Sequence, residues 1–414
     1  MLGIPYSSNF SLSKCWQYGI VFALLILSTH FWSFQGISNG MFMAGNNLII
    51  LLLIASLVWK FTPIWTGRRP FELFALWFFL YPFFAAIPAA IVHDQSLLQG
   101  MYGLKLNAFW LLYWYLHSRD FSMSALWKAV LVMGVGWSAI TIFQQFSASP
   151  LFYSRIDTEG DSPFEMRSGV ARFLIEGEGF GILTLFFALQ RSLDKSLHGM
   201  IRLAWMALFT FQILGVLFFA TRQVLGVGLV CLLIQGILSR KSVGWRAGIV
   251  FSVVLASIAA WPLINASLGD VIQGTRSDLS ESNVRYEAMN YFIFEHWKSP
   301  LLWLVGNGRA IAGTSYGDFM NSLAQTRGLW QVDIGIFGEF SQFGLVHVAV
   351  IIALFVKSLR YLKIQNQLAL GVMFLYLFIR LPLNCTLTMS AWIPFMCVIF
   401  YFGDRMSMGS AKYV

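Results

Sequence analysis

Apolar runs cut this chain of 414 residues into twelve candidate membrane spans, and the charges between them fall unevenly. If the first run enters from the cytoplasm, 17 of the 28 Lys and Arg lie on that side, from Lys14 and Lys60 through Arg240 and Lys241 to Arg405 and Lys412. Inside-facing loops of membrane proteins carry this bias, whereas long loops escape it. The remaining cations lie mostly in two long outer segments, which also hold the densest polar clusters. Chemistry is therefore expected at the outer face.

Charged residues make up 11% of the chain and aromatics 17%, and mean hydropathy is +0.68. A water-soluble domain carries about 25% charged residues, so these helices must face lipid or one another. A formal charge of +9 would invite nucleic acid in a soluble chain. Here inside-facing cations account for much of it and no basic polar domain exists, which excludes that partner. Cys15, Cys231, Cys385 and Cys397 form no CxxC pair and sit in or beside apolar runs, so neither a disulfide framework nor a zinc site is expected. The N-terminus lacks a basic region feeding a short apolar core and a small-residue cleavage site; the first run reads as a retained span.

The expected spans are 16–34, 45–63, 71–92, 103–117, 124–145, 173–190, 201–219, 222–239, 245–265, 333–356, 365–380 and 386–403. A helix needs about 20 apolar residues to cross about 30 Å of hydrocarbon, and the shorter runs would borrow flanking residues. Lipid cannot satisfy loose backbone groups, and barrel strands would be shorter and alternating. Trp16, Trp32, Trp59 and Trp127 stand near proposed ends, as interfacial anchors do. The expected fold is thus all-α, a single polytopic membrane domain over 1–414 with outer loops at 146–172 and 266–332. The larger loop contains SNVRYEAMNYFIFEHW, with Tyr286, Met289, Phe292 and Trp297 spaced as an apolar helical face. Ser282 or Asn283 would cap this helix and Pro300 would stop it.

Arg222 follows a reversal at Ala220-Thr221 and is expected at the outer end of a helix. A snorkelling topological marker is one reading; an arginine meeting a phosphate bidentately near the apolar boundary is the other. Arg285 opens the loop helix, where backbone N–H groups also favour an anion, though one exposed Arg also suits a solvated face. Gly306-Asn307-Gly308-Arg309 lacks the strand–helix context of a nucleotide loop, and no nucleotide is assigned. Asp333 falls at the mouth of the tenth span, with Glu339 about 9 Å deeper along a helix. A carboxylate in an apolar bundle is costly unless paired, and marks function or a structural partnership. His347, about 21 Å below Asp333 on a straight helix, reads as a packed histidine too far from an outer site. In the 146–172 loop the mixed charges are either solvated surface or a sugar-binding groove, with Arg167 and Arg172 nearest the sixth span.

Arg285, Trp297, Pro300, Gly306 and Gly308, then Glu339 and Gly344, with Thr221-Arg222 upstream, together resemble the O-antigen polymerase and ligase superfamily of bacterial envelope glycan assembly. The resemblance implies a GT-C-like bundle of about twelve transmembrane helices in the bacterial inner membrane, with both long loops in the periplasm. It implies a glycosyltransferase that uses an undecaprenyl-diphosphate-linked oligosaccharide as donor. The implied function is a polysaccharide polymerase of lipopolysaccharide synthesis, adding repeat units to the growing chain at the periplasmic face. Membrane lipid and a chain-length regulator are the other implied partners, with no metal and no cofactor.

Arg222, Arg285, Asp333 and Glu339 take the expected catalytic roles, with Arg167, Arg172, Arg309 and Tyr286 as substrate contacts. The two carboxylates would orient or deprotonate an acceptor hydroxyl while arginines neutralise the departing diphosphate. An O-antigen ligase acting on lipid A-core is disfavoured, because Asp333 stands where such ligases carry a histidine. A lipid-linked glycan transporter is a further alternative, although duplicated halves are not visible. A scaffold, or a transferase using a single-sugar lipid phosphate, completes the alternatives.

Overall fold

The structure, a computed structural model, describes residues 12–29, 39–60, 63–147, 165–167, 170–172, 175–194, 196–219, 221–239, 284–384 and 387–408. Among these residues the chain is helical apart from one antiparallel hairpin, β1 (Glu165–Arg167) with β2 (Val170–Arg172). The helices are α1 (Leu12–Thr29), α2 (Asn39–Trp59), α3 (Glu72–His93), α4 (Leu97–Gly103), α5 (Leu111–Ser118), α6 (Met123–Phe146), α7 (Glu178–Ser192), α8 (Gly199–Phe218) and α9 (Arg222–Leu238). After these come α10 (Val284–Asn290), α11 (Pro300–Val305), α12 (Ser315–Arg327), α13 (Ile336–Ser358), α14 (Leu368–Arg380) and α15 (Ile393–Ser407).

Four helices among the described residues are long and apolar enough to cross a membrane: Glu72–His93, Met123–Phe146, Gly199–Phe218 and Ile336–Lys363. This corrects the expectation of about twelve spans, and the GT-C-like polytopic bundle falls with it. The multi-pass inner-membrane placement, and the polymerase working at a periplasmic face, rested on that count and are withdrawn, together with the lipopolysaccharide role.

Local chemistry explains the shortfall. The 103–117 run breaks into the end of α4, a 3-10 segment (Lys105–Trp110) and the eight residues of α5. The 173–190 run turns helical only at Glu178, after Gly177 in a left-handed conformation. A 3-10 segment, Gln365–Gln367, occupies the start of the 365–380 run, and another, Leu359–Lys363, precedes it. The last helix begins at Ile393, where Pro394 occupies its first turn, a position proline tolerates because the amide there is unpaired. Shorter apolar helices remain at Gln17–Leu27, Met43–Trp59 and Gln223–Leu238. The 245–265 run lies outside the described residues.

The loop helix is also shorter than its apolar spacing predicts. It spans Val284–Asn290 and continues as a π-turn over Tyr291–Glu295; Ser282 and Asn283 lie outside the described residues. Pro300 starts α11 rather than stopping the previous helix, with Ser299 capping it through a bond to the Leu301 N–H.

Long-range hydrogen bonds orient the bundle. At one end the Gln190 side-chain amide donates to Asn366 O (3.3 Å) and accepts from the Ala369 N–H (2.7 Å), while Gln365 donates to Leu238 O (3.0 Å). The C-terminal ends of α7 and α9 therefore meet the start of α14, and both run antiparallel to it. The same end gathers Lys60 on Ser118 O, Arg119 on Ser56, Arg69 on Glu72, Lys357 on Pro70 O, and Arg405 on Asp120. Asp404 ties three elements together there, accepting from the Phe71 N–H (2.8 Å) and the Tyr113 hydroxyl (2.6 Å), with His117 3.1 Å away. The core above this latch is aromatic: Phe71 stacks on Phe400 (4.9 Å) and Phe374 (5.5 Å), contacts that add to ordinary apolar burial. The opposite end carries the starts of α7, α9 and α13 and the finish of α3 and α14. The polar chemistry of the long loop meets the bundle there.

Candidate functional site

The site at this second end is built around a break in α13. Gly344 has φ 76° and ψ 177°, values foreign to a helix. A break of this kind strands carbonyls that a continuous helix would satisfy. The loop after α11 takes them up: the Asn307 N–H donates to Ser341 O (3.0 Å), the Asn307 side-chain amide to the same oxygen (3.3 Å), and the Gly308 N–H to Gln342 O (2.8 Å). From α3, the Tyr81 hydroxyl donates to Phe343 O (2.8 Å). The approach is so close that a Cβ at Gly344 would fall within 3.0 Å of Leu304 O and Gly306 N, and one at Gly306 (φ 85°) within 3.0 Å of Gln342 O. Both positions need glycine for space and for positive φ. The Gly-x-Gly pattern is thus explained by backbone docking.

This interlock presents Arg309. Its backbone carbonyl accepts from Gln95 (3.0 Å), and Gln95 Oε1 in turn accepts from the Ile311 N–H and the Thr314 hydroxyl (3.0 Å each). The Arg309 side chain keeps accessible surface, yet surrounding protein desolvates the guanidinium enough to pull its pKa below the ordinary value, with the Glu339 carboxylate opposing that shift.

Glu339 is 6% exposed. Thr388 donates its hydroxyl to Glu339 Oε1. His347 Nε2 stands 3.3 Å from Glu339 Oε2, but neither atom reaches hydrogen-bond geometry with any partner. On the far side of the ring the Trp77 indole N–H donates to His347 Nδ1 (3.1 Å). Eight residues of straight helix would separate Glu339 and His347 by about 12 Å. The break at Gly344 folds that distance away and sets His347 beside Glu339, where the ring is packed and hydrogen-bonded as expected.

A second buried charge group sits at the same end. Arg380 (3% exposed) pairs with Glu178 (7% exposed), and Tyr376 donates its hydroxyl to the same carboxylate oxygen. The Arg380 guanidinium also lies 5.7 Å from the centre of the Trp392 ring. Because Ile336 N–H donates to Leu381 O (2.7 Å), the end of α14 is fastened to the start of α13. Sequence reading missed Arg380, whose only signal is a cation closing an apolar run. It placed Glu178 among the loop charges.

The remaining candidates are less enclosed. Arg285 and Tyr286 are exposed on α10, and Asp333 is exposed on a 3-10 turn (Gln331–Ile334). A small apolar core of Ala288, Phe292, Leu329 and Ile334 packs α10 against that turn, so the three share one outer surface. Arg222 is the first residue of α9, at the Arg380 end of α14; its side chain lies outside the described set. Arg167 and Arg172 occupy opposite strands of the hairpin, Arg172 paired in register with Glu165, and their side chains are likewise outside it. Among the described residues no three His, Cys, Asp or Glu side chains are grouped so as to hold a metal ion.

A ring stack walls the outer side. His93 lies 4.0 Å from Tyr316 at 7° and pairs with Asn307 Oδ1 (3.1 Å). His296 Nε2 meets the Tyr316 hydroxyl (3.0 Å). Burial, followed by repulsion from His93 and Lys298, lowers His296 to about 4. Since the unfolded chain takes up this proton near pH 6.5 and the folded one only near 4, His296 contributes stability above 6.5 that is lost as pH falls toward 4. The full effect is roughly 3 kcal/mol. His296→Phe is expected to flatten the pH dependence of unfolding across that window, measured by thermal melts from pH 4 to 7.5.

No protein-family model matches the chain, and no curated protein matches it.

Proposed function

We propose that this protein is a glycosyltransferase whose sugar donor is a glycan linked to a polyprenyl diphosphate. The observation that carries the reading is the buried Glu339 carboxylate whose charge acts on the exposed Arg309 guanidinium. The resemblance of the Arg285–Gly344 segment to the O-antigen polymerase and ligase superfamily points the same way, and the same two partners, a lipid-linked oligosaccharide and membrane lipid, are proposed with it.

The chemistry is an in-line displacement. An acceptor sugar hydroxyl gives its proton to Glu339 and its oxygen bonds the anomeric carbon. The bond from that carbon to the diphosphate oxygen breaks, and its electron pair leaves with the diphosphate. The growing negative charge on the leaving group is met by the Arg309 cation, which stabilises the departing anion electrostatically. Arg285, exposed on α10, suits the lipid diphosphate as it arrives. Asp333 is a weaker candidate for the base, because open water already solvates its carboxylate.

The test incubates purified protein with a polyprenyl-diphosphate oligosaccharide and a free acceptor sugar and resolves the products by mass. A new glycosidic bond with release of polyprenyl diphosphate is the expected result. Intact donor at every acceptor concentration would sink the reading.

A further inference from the structure

We infer that His347 is the positioning residue for Glu339, and that Trp77 sets the form in which it acts. This inference rests on the transferase reading for its kinetic consequence, but the geometry behind it does not.

An indole N–H can only donate. Its bond to His347 Nδ1 at 3.1 Å therefore requires a bare Nδ1, which puts the ring proton on Nε2. That nitrogen faces Glu339 Oε2 at 3.3 Å. Both atoms are buried and otherwise without hydrogen-bond partners, so the contact is close without being made. Such contacts in empty catalytic sites commonly tighten when substrate binds. The other carboxylate oxygen is already held by Thr388. With Oε1 anchored, an Nε2–H reaching Oε2 fixes the rotation of the carboxylate and hence the lone pair offered to an acceptor hydroxyl.

The ring itself is locked in place. It stacks on Tyr81 at 5.4 Å and 14° and meets Phe78 edge-on at 5.6 Å, both from α3, and it is fully buried. Tyr81 also binds the carbonyl of Phe343 at the helix break. The element that holds the imidazole therefore also holds the bend that brings it to Glu339.

Two measurements test this, one independent of turnover. In protein labelled with ¹⁵N-histidine, His347 is expected to show a protonated Nε2 and a bare Nδ1. Trp77→Phe is expected to turn this into a mixture of the two tautomers, and Glu339→Gln to move the Nε2 resonance. A wild-type Nδ1–H tautomer, or an Nε2 resonance indifferent to Glu339→Gln, would overturn the inference whether or not transfer is ever observed.

In the transfer assay, His347→Phe is expected to lower kcat roughly 10- to 100-fold with KM little changed, the size of effect that misplacing a reacting group produces. His347→Gln, which can place an amide donor near the Nε2 position, is expected to recover part of the loss. Equal impairment of the two variants, with thermal melts showing both folded, would overturn the positioning role. Wild-type protein without transfer would remove the transferase reading, and the labelling result would then decide the inference alone.

Discussion

Arg380→Met is expected to destabilise the protein by about 3–5 kcal/mol, the usual cost of removing one partner of a buried ion pair. The loss comes from what stays behind: Glu178, 7% exposed at the first turn of α7, would keep a carboxylate with no cation beside it. Tyr376 would still donate to that carboxylate, but a phenol hydroxyl cannot neutralise a charge. A fully apolar replacement behaves differently, because desolvating two charges cancels much of their attraction. The triple variant Glu178→Leu, Tyr376→Phe, Arg380→Met leaves neither an orphan charge nor an orphan hydroxyl. It is expected to recover most of the stability lost in the single variant. Denaturant unfolding of the four proteins (wild type, Arg380→Met, Glu178→Leu and the triple) checks this. A single variant within about 1 kcal/mol of wild type would show that the pair contributes little. A triple variant that recovers stability without transfer would show that the group is kept for the reaction.

Arg309→Ala is expected to lower transfer about 100- to 1000-fold in kcat, the range seen when one preorganised donor to a developing anion is removed. Arg309→Lys should recover only part, since an ammonium is a point charge without the planar fork that grips two phosphate oxygens. Arg285→Ala should cost less and appear mainly in KM, because the Glu339 carboxylate acts on Arg309 while Arg285 stands on α10, where water weakens its hold on an anion. Steady-state kinetics on the three variants reads this ordering directly. A larger kcat loss in Arg285→Ala than in Arg309→Ala would move the leaving group away from Arg309 and onto the surface of α10.

The apolar runs located nearly every helix of the described bundle, because burial or lipid contact demands continuous apolar sequence whichever of the two applies. Their count as spans failed where punctuation within a run could not be weighed. Gly177, Pro394 and the 3-10 segments before Leu368 each remove a turn or more from a helix that the sequence extends. Pro300 was legible as a boundary, though its side was misjudged: it closes nothing and opens α11.

Within the site, Arg309 was expected only as a substrate contact, while Glu339 stood out as a carboxylate in an apolar run. Its neighbours did not, because His347 reaches Glu339 only through the bend at Gly344, and a glycine in an apolar run announces no angle. The Glu178–Arg380 pair joins residues 202 positions apart, which no local spacing can show.

The interlock at Gly306 and Gly344 ties the bend of α13 to the loop after α11. Residues 307–308 supply the amides that let α13 stay bent, so a loop that lets go of the helix removes the reason for the bend. A helix that then straightens draws His347 and Glu339 apart by about a dozen ångströms along its axis. Arg309 would leave with the departing loop in the same event. The contact between His347 and Glu339 and the place of Arg309 thus depend on the same backbone bonds.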